Sequence, residues 1–280
     1  MEVKTKNFKN VLLHWYKDNK REYAWRDNSD PWSVYLLEVI SQQTQLDRAD
    51  KYFKKFIKEF PTPNDMATTS FKKVLKMWSG LGYNSRAKRM YESSKIIAEK
   101  SFDDLYPDFQ QLPGVGPYTE NAILSFAYNE QVIAEDINVK RIISRYFGIE
   151  NTKKYFDRFS SLLLINTNSK NLNQAFMDFG SSICKPRSPL CSDCPLENTC
   201  EKYFNYKTRP IEKFSGSNRE LRGNLVKLLL KKGNLKVKTI QQELDTDQDR
   251  LSEVLEKMQD EGLVKSVSYT HLTLPTTSPV

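Results

Sequence analysis

"LPGVGPYTENAILSFAY" (residues 112–128) sets two glycines one residue apart, directly ahead of an amphipathic helical pattern. Glycine tolerates the backbone angles of a tight turn, so Gly114, Val115 and Gly116 can reverse the chain and bring backbone N–H groups up to an anion. The dipole of the helix that follows favours the same negative charge. A second helical pattern runs ahead of the turn, over residues 84–100. The unit therefore reads helix, hairpin, helix, a clamp for a phosphate backbone that carries no sequence information. An ordinary turn between two helices would look the same, because a lone Gly-x-Gly is a weak signal. The rest of the chain has to decide.

Outward from the hairpin, apolar positions recur at helical spacing over about 3–19, 31–43, 45–60, 70–79, 84–100, 117–129, 137–148, 151–166 and 169–183, with breaks such as Pro31, Pro61, Pro107, Pro113 and Gly148. With only 10 Gly and 12 Pro in 280 residues, this pattern predicts an all-α fold large enough for a real core. Lys and Arg number 43 against 35 Asp and Glu, a net charge of +8, which raises a polyanion such as nucleic acid as a partner. The opening "MEVKTKNFKNVLLHWY" has no signal-peptide core, and no apolar run reaches the roughly 18 residues that cross a bilayer. A soluble cytoplasmic protein with no membrane partner is expected.

One acidic side chain interrupts the apolar run "LLEVISQQT" (36–44). On a helix, Val34, Glu38, Ser41, Gln42 and Gln45 share a stripe while Leu36, Leu37, Val39 and Ile40 cover the other directions. A carboxylate buried there is costly and tends to hold a proton. Glu38 is either a core glutamate satisfied by an arginine or a group kept protonated for use.

All four cysteines fall in "CKPRSPLCSDCPLENTC" (184–200), with gaps of six, two and five residues. Two disulfides are possible, but an intracellular chain with a large core neither needs nor readily keeps them. Zinc usually takes two close pairs set well apart, and only Cys191 and Cys194 form such a pair. A 4Fe-4S cluster also wants four thiolates, and a short loop around one compact cluster suits this spacing. The first gap holds Lys185 and Arg187 among prolines, a stiff basic loop that could meet phosphates.

Past the cysteines, "YKTRPIEKFSGSN" is polar and basic. It marks the end of a helical core over 1–210, followed by a linker at 211–217. Residues 218–267 suggest three short helices and a strand, an order resembling a winged helix-turn-helix, although a generic helical appendage fits as well. The final "SYTHLTLPTTSPV" (268–280) carries no charge and is expected to be a disordered tail or sequence foreign to the native gene product.

The glutamate, the hairpin and the C-x6-C-x2-C-x5-C loop together resemble the helix-hairpin-helix DNA glycosylases related to endonuclease III. "EVISQQTQ" (38–45), "WSGLGYNSRAKR" (78–89) and "LPGVGPYT" (112–119) resemble more narrowly the A/G-specific adenine glycosylases of the MutY type, over about residues 8–203. That resemblance implies two catalytic carboxylates. Glu38 would protonate adenine, and Asp136 in "EDINVKRIISRYF" would stay ionised beside the sugar; alone, Asp136 would read as a helix N-cap. It further implies that Tyr118 and Asn138 position Asp136 and the sugar. Gln43 and Tyr83 would fill or wedge the gap left by the base and sense its partner, Gln42 would be a base-binding residue beside them in sequence, and Trp25, Arg26 and Gln174 would line the adenine pocket. Without the family, Tyr83 and Trp25 read as core aromatics and Gln174 as a solvated helix residue. The lyase-competent relatives carry a lysine where this chain has Tyr118, so base removal without efficient strand cleavage is implied. A 4Fe-4S cluster on Cys184, Cys191, Cys194 and Cys200 is implied too, as is a monomer acting on double-stranded DNA with adenine opposite 8-oxoguanine or guanine. Gly114, Val115, Gly116, Lys185 and Arg187 would contact the backbone.

The chain departs from the family at Ile137, usually glycine, at Ala24, usually proline, and at Ser41, usually a larger apolar residue. Residues 216–267 are too few and too helical for the NUDIX-like domain that reads 8-oxoguanine, so the C-terminal module is expected to add DNA grip instead. A G/T or G/U mismatch thymine glycosylase and a non-enzymatic iron-sulfur DNA-binding regulator are the rival readings.

Overall fold

The computed structural model describes residues 2–150, 152–204, 213–268 and 271–275. Ten helices precede the cysteine loop: α1 (Glu2–Asn19), α2 (Pro31–Ser41), α3 (Leu46–Glu59), α4 (Pro63–Ala67), α5 (Phe71–Trp78), α6 (Ser85–Leu105), α7 (Pro117–Phe126), α8 (Ile137–Phe147), α9 (Lys153–Leu164) and α10 (Ser169–Ser182). Their starts are written in the sequence. Asp136, Ser70 and Asn168 each accept a hydrogen bond from the backbone three residues on, satisfying an otherwise orphaned donor. Gly148 ends α8 in the left-handed region (φ 68°). The one helix the periodicity missed, α4, is too short to show a period, but Thr62 and Asp65 form a reciprocal capping box around Pro63. α6 runs past the expected end at 100 through a kink at Ser101 (φ 64°, ψ 163°).

The chain divides into two compact units. The first comprises Met1–Tyr35, Pro107–Gln110 and Val115–Pro210. Its core joins Phe8, Leu12 and Tyr16 of α1 to Val139, Ile142, Ile143 and Tyr146 of α8 and Leu172, Phe176 and Phe179 of α10. Each such side chain fully buried contributes about 1.5–3 kcal/mol. Cys184, Cys194 and Cys200 pack against the same cluster.

The second unit comprises Leu36–Tyr106, Gln111–Gly114 and Ile211–Val280. The first unit ends at Pro210, where the core was expected to end, but the C-terminal segment groups with residues 36–106 and does not form a unit of its own. That segment contains α11 (Asn218–Lys232), β1 (Leu235–Lys236), α12 (Val237–Leu244), α13 (Gln248–Asp260), β2 (Lys265–Ser268) and β3 (His271–Thr273). The strands form an antiparallel sheet in the order β1-β3-β2. Three strands stand where the sequence pattern suggested one, and β3 lies within the stretch expected to be a disordered tail or foreign sequence. "HLTL" alternates polar and apolar residues, so pairing on both sides lets Leu272 and Leu274 point inward and become buried. Residues 276–280, like 211 and 212 of the expected linker, lie outside the described residues. Among those described, no helix is long and apolar enough to cross a membrane.

Candidate active site

Helix α2 is apolar on every side: Val34, Tyr35, Leu36, Leu37, Val39 and Ile40 are all buried, and Glu38 among them is 5% exposed. At its C-terminus the last carbonyls have no helical partners. Arg86, at the start of α6, takes them up, donating to the carbonyls of Val39 (3.1 Å), Ile40 (3.3 Å) and Gln42. The same guanidinium lies over the rings of Trp78 (4.9 Å) and Tyr83 (5.6 Å). Burial pushes Arg86 down to about 10, so it remains charged at neutral pH.

Two turns are fixed by this residue. Gln43 (φ 55°) follows α2, and Tyr83 (φ 47°) ends the Gly-Leu-Gly loop. Non-glycine residues enter the left-handed region at a cost of about 1–3 kcal/mol, and such strain clusters where a side chain must be aimed. Gly80 (φ 102°) could not be replaced cheaply either: a Cβ there would lie 2.8 Å from the Tyr52 hydroxyl. Gln43 is exposed and Tyr83 is 43% exposed. Gln42 is half-buried beside them in sequence. Arg86 was missed in the sequence, although it lies inside the motif "WSGLGYNSRAKR".

Asp136 caps α8 and accepts from the Val139 N–H (2.7 Å) and the Asn138 amide (2.6 Å). Arg141, one turn on, donates to the Asn138 amide oxygen (2.7 Å), the Gly180 carbonyl (2.8 Å) and the Cys184 carbonyl (2.9 Å). Asn138 reaches this position because α10 presents a glycine: a Cβ on Gly180 would sit 2.7 Å from the Asn138 Cβ. The sequence placed Asp136 at a helix start and expected that to keep it ionised. Burial in fact pushes its pKa up, and hydrogen bonds from Val139 and Asn138 and the charge of Arg141 only partly offset this. Ile137, 58% exposed at the first position of α8, is accommodated in solvent. Tyr118 is half-buried in the first turn of α7.

In the hairpin, Gly114 holds φ 81° against the Arg89 side chain, and a Cβ there would meet Arg89 Cδ at 2.7 Å. Val115 is buried, and Gly116 caps α7 in an extended conformation with nothing within 4 Å of a notional Cβ. Gly114 is thus required by the turn, while Gly116 leaves open space beside it.

Arg26 is 7% exposed and makes a bidentate pair with Asp178, both bonds at 2.7 Å. Arg21 adds a bond from Nε at 2.8 Å. Burial alone would raise the Asp178 carboxyl, but the two arginines outweigh it and hold it below the usual carboxylate range. Tyr16 donates to Gln174 and accepts from Arg26. Arg26 and Gln174 line a cavity of about 690 Å³ with Tyr16, Tyr23 and Asn171. Trp25 is not in its lining; it stacks on Tyr23 with ring centroids 5.1 Å apart.

Two short 3-10 turns, Cys191–Asp193 and Glu197–Thr199, fold the cysteine loop. All four thiols are half-buried and none is in a disulfide. Burial and the neighbouring thiols push Cys194 up to about 11. Arg145 donates to Cys184 Sγ (3.5 Å) and to the carbonyls of Lys185 (2.7 Å) and Pro186 (2.8 Å), and the Lys202 N–H donates to Cys200 Sγ (3.4 Å). Arg187 is exposed and Lys185 half-buried. No group of three or more His, Cys, Asp or Glu among the described residues is arranged to hold a single metal ion. An all-thiol donor set backed by N–H···S contacts and a guanidinium nevertheless suits an anionic iron-sulfur cluster, which is wider than one ion.

The structure thus joins the Gln42 carbonyl with the Tyr83 ring through Arg86, sets Gln43 and Tyr83 in the lining of one pocket, and joins Asp136 with Asn138 and Arg26 with Gln174. Glu38 and Asp136 belong to different units. The family model for HhH-GPD superfamily base excision DNA repair proteins matches residues 36–179. An adenine DNA glycosylase of Buchnera aphidicola subsp. Baizongia pistaciae is 35% identical over 210 residues, covering 71% of this chain and 59% of that protein. One from Mycolicibacterium smegmatis is 31% identical over 231 residues, 78% of each. The chain spans 59–63% of the length of the Buchnera relatives it matches. A solved thermostable thymine-DNA glycosylase matches with a TM-score of 0.65 and 26% identity, over 72% of this chain and 97% of that one.

Proposed function

The chain belongs to the HhH-GPD superfamily of base excision DNA repair proteins, and from that membership we propose that it is a monofunctional glycosylase removing adenine opposite guanine or 8-oxoguanine in double-stranded DNA. Adenine is a poor leaving group. Breaking its N-glycosidic bond puts electrons on the base and positive charge on the sugar, so one group must protonate the base and another must stay negative beside the sugar. The observation that carries the reading is Glu38, 5% exposed in an apolar helix, an environment that favours the protonated acid a base needs. Asp136, held by Val139 and Asn138, is the carboxylate for the oxocarbenium-like sugar, with Tyr118 beside it in role.

The base must first leave the duplex. Gln42, Gln43 and Tyr83 fill the gap, and Trp25, Arg26 and Gln174 serve the extruded adenine. Tyr118 offers no amine for a Schiff base, so strand cleavage is not expected. Gly114, Val115 and Gly116, with Lys185 and Arg187, meet phosphates. Cys184, Cys191, Cys194 and Cys200 would hold a 4Fe-4S cluster, which when bound supplies a cross-link for the loop and a redox-capable centre. The working form is a cytoplasmic monomer.

The test is base release from duplexes with adenine opposite 8-oxoguanine, adenine opposite guanine, and thymine or uracil opposite guanine. Release of adenine by the wild type and its loss in Glu38→Gln, with DNA binding retained, are expected. The likeness to a thymine-DNA glycosylase favours the second reading, and release of thymine alone would establish it.

A further inference from the structure

The C-terminal segment has the element order of a DNA reader but the wrong charge for one. A helix-turn-helix puts its later helix in the major groove. Here α13 carries Asp249, Glu253, Glu256 and Asp260 against Arg250 and Lys257, and those two are engaged locally, Arg250 with Asn218 and the Gly216 carbonyl and Lys257 with Glu253. The basic helix is α11. Arg222 pairs there with Glu261 and Lys232 with Glu243, while Arg219 and Lys227 border a pocket of about 570 Å³. Gln43 and Tyr83 line the same pocket. Arg219 Nη1 donates to the Tyr83 hydroxyl at 2.8 Å, and its guanidinium lies 5.8 Å from the ring centroid. The acid in the lining, Glu220, accepts from the Gly216 N–H at 2.7 Å. What converges is a cationic fork, a phenol and the amides of Gln43 and Asn224, a donor-rich pocket at the two strained turns.

We propose that α11 builds, with Gln43 and Tyr83, the binding site for the base opposite the excised one, and that Arg219 reads that base through its O6 carbonyl. The inference rests on the glycosylase function proposed above. A guanidinium presents its donors as a planar fork, and arginine on the O6/N7 edge is the commonest specific contact to guanine. Guanine and 8-oxoguanine share O6. They differ at N7, an acceptor in guanine and an N–H in 8-oxoguanine, whose O8 accepts instead. Tyr83 would support the opposite base and hold the fork at its edge.

The test is fluorescence anisotropy with the full chain on duplexes carrying a tetrahydrofuran abasic site opposite guanine, 8-oxoguanine or 2-aminopurine, which lacks O6. Wild type should bind at least one 6-oxo duplex roughly tenfold more tightly than the 2-aminopurine duplex, the scale of one good base contact. Preference for guanine means the O6/N7 edge is used, and equal or better binding of 8-oxoguanine means O6 is used without N7; both support the site. Arg219→Ala should bring all three within about twofold with the 2-aminopurine affinity unchanged. Arg219→Lys, which keeps charge but not the fork, should do the same, and it settles the matter should the alanine variant not fold. Discrimination that survives in the variants, discrimination absent from the wild type, or a uniform loss on all three duplexes, the mark of a phosphate contact, each overturns the proposal. Base release is measured in parallel. Thymine rather than adenine released opposite guanine, with discrimination intact, would replace the adenine reading and keep the site.

Discussion

Asp136 is a carboxylate whose surroundings raise its pKa above the ordinary 3.8, burial outweighing the hydrogen bonds from Val139 and Asn138 and a nearby arginine. A folded state that raises an acid's pKa binds the proton more tightly than the unfolded chain, so ionisation opposes folding and stability falls as pH rises through the window that begins at 3.8. Asn is as good an N-cap as Asp. Asp136→Asn is therefore expected to be more stable than wild type at pH 7, with the advantage shrinking towards pH 4, and to lose base release by roughly a hundredfold or more. Urea midpoints at the two pH values check it, and an asparagine variant less stable at pH 7 sinks it. Asp178 behaves oppositely. Its pKa is held low, so its contribution is full above 3.8 and is lost as pH falls below. Asp178→Asn leaves Arg26 buried without its countercharge and should cost about 3–5 kcal/mol, a loss that Arg26→Met in the same chain largely reverses. Had Arg26 served the extruded base alone, Asp178→Asn would alter activity without moving the denaturation midpoint.

At the scale of elements, α8 ties Asp136 to the cysteine loop. Asn138, Arg141 and Arg145 recur at three- and four-residue steps and so share one face, which the side chains spend on Asp136, Gly180 and the carbonyls of Cys184, Lys185 and Pro186. Gly180→Ala should push Asn138 off Asp136 and slow base release by about tenfold or more, since a displacement of about 1 Å at a catalytic group can cost a hundredfold. DNA affinity should not change. Single-turnover rates beside anisotropy separate the two effects, and an unaltered rate would mean that Asn138 yields without moving Asp136. The periodicity of α8 and its aspartate cap are legible in the sequence because both are local. Its partners are not. Arg86 reaches carbonyls 44 to 47 residues away, and Asp178 lies 152 residues from Arg26. A sequence shows that an arginine is present but not which carbonyls converge on it. The same holds for β3: three residues in a charge-free stretch read as a strand only once β1 and β2 stand on either side.

At the scale of the whole molecule, charge is unevenly placed along the chain. Residues 211–280 hold 11 of the 43 Lys and Arg and 10 of the 35 Asp and Glu, so +7 of the net +8 belongs to residues 1–210. Charge on the module is nearly balanced, and part of it is engaged in ion pairs within the module, Arg222 with Glu261, Lys232 with Glu243 and Lys257 with Glu253. A balanced surface adds little to counterion release, which follows the number of phosphates neutralised. The slope of log affinity against log salt should therefore depend on the core. Lys185→Gln with Arg187→Gln in the full chain is expected to make it shallower by about 2, near 0.9 for each phosphate no longer neutralised, whereas Lys231→Gln with Lys232→Gln should leave it within about 0.5. Anisotropy titrations over a salt series on one undamaged duplex decide this. If the module pair moved the slope and the loop pair did not, the module would be a second electrostatic grip, and α11 would owe its arginines to phosphates and not to a base.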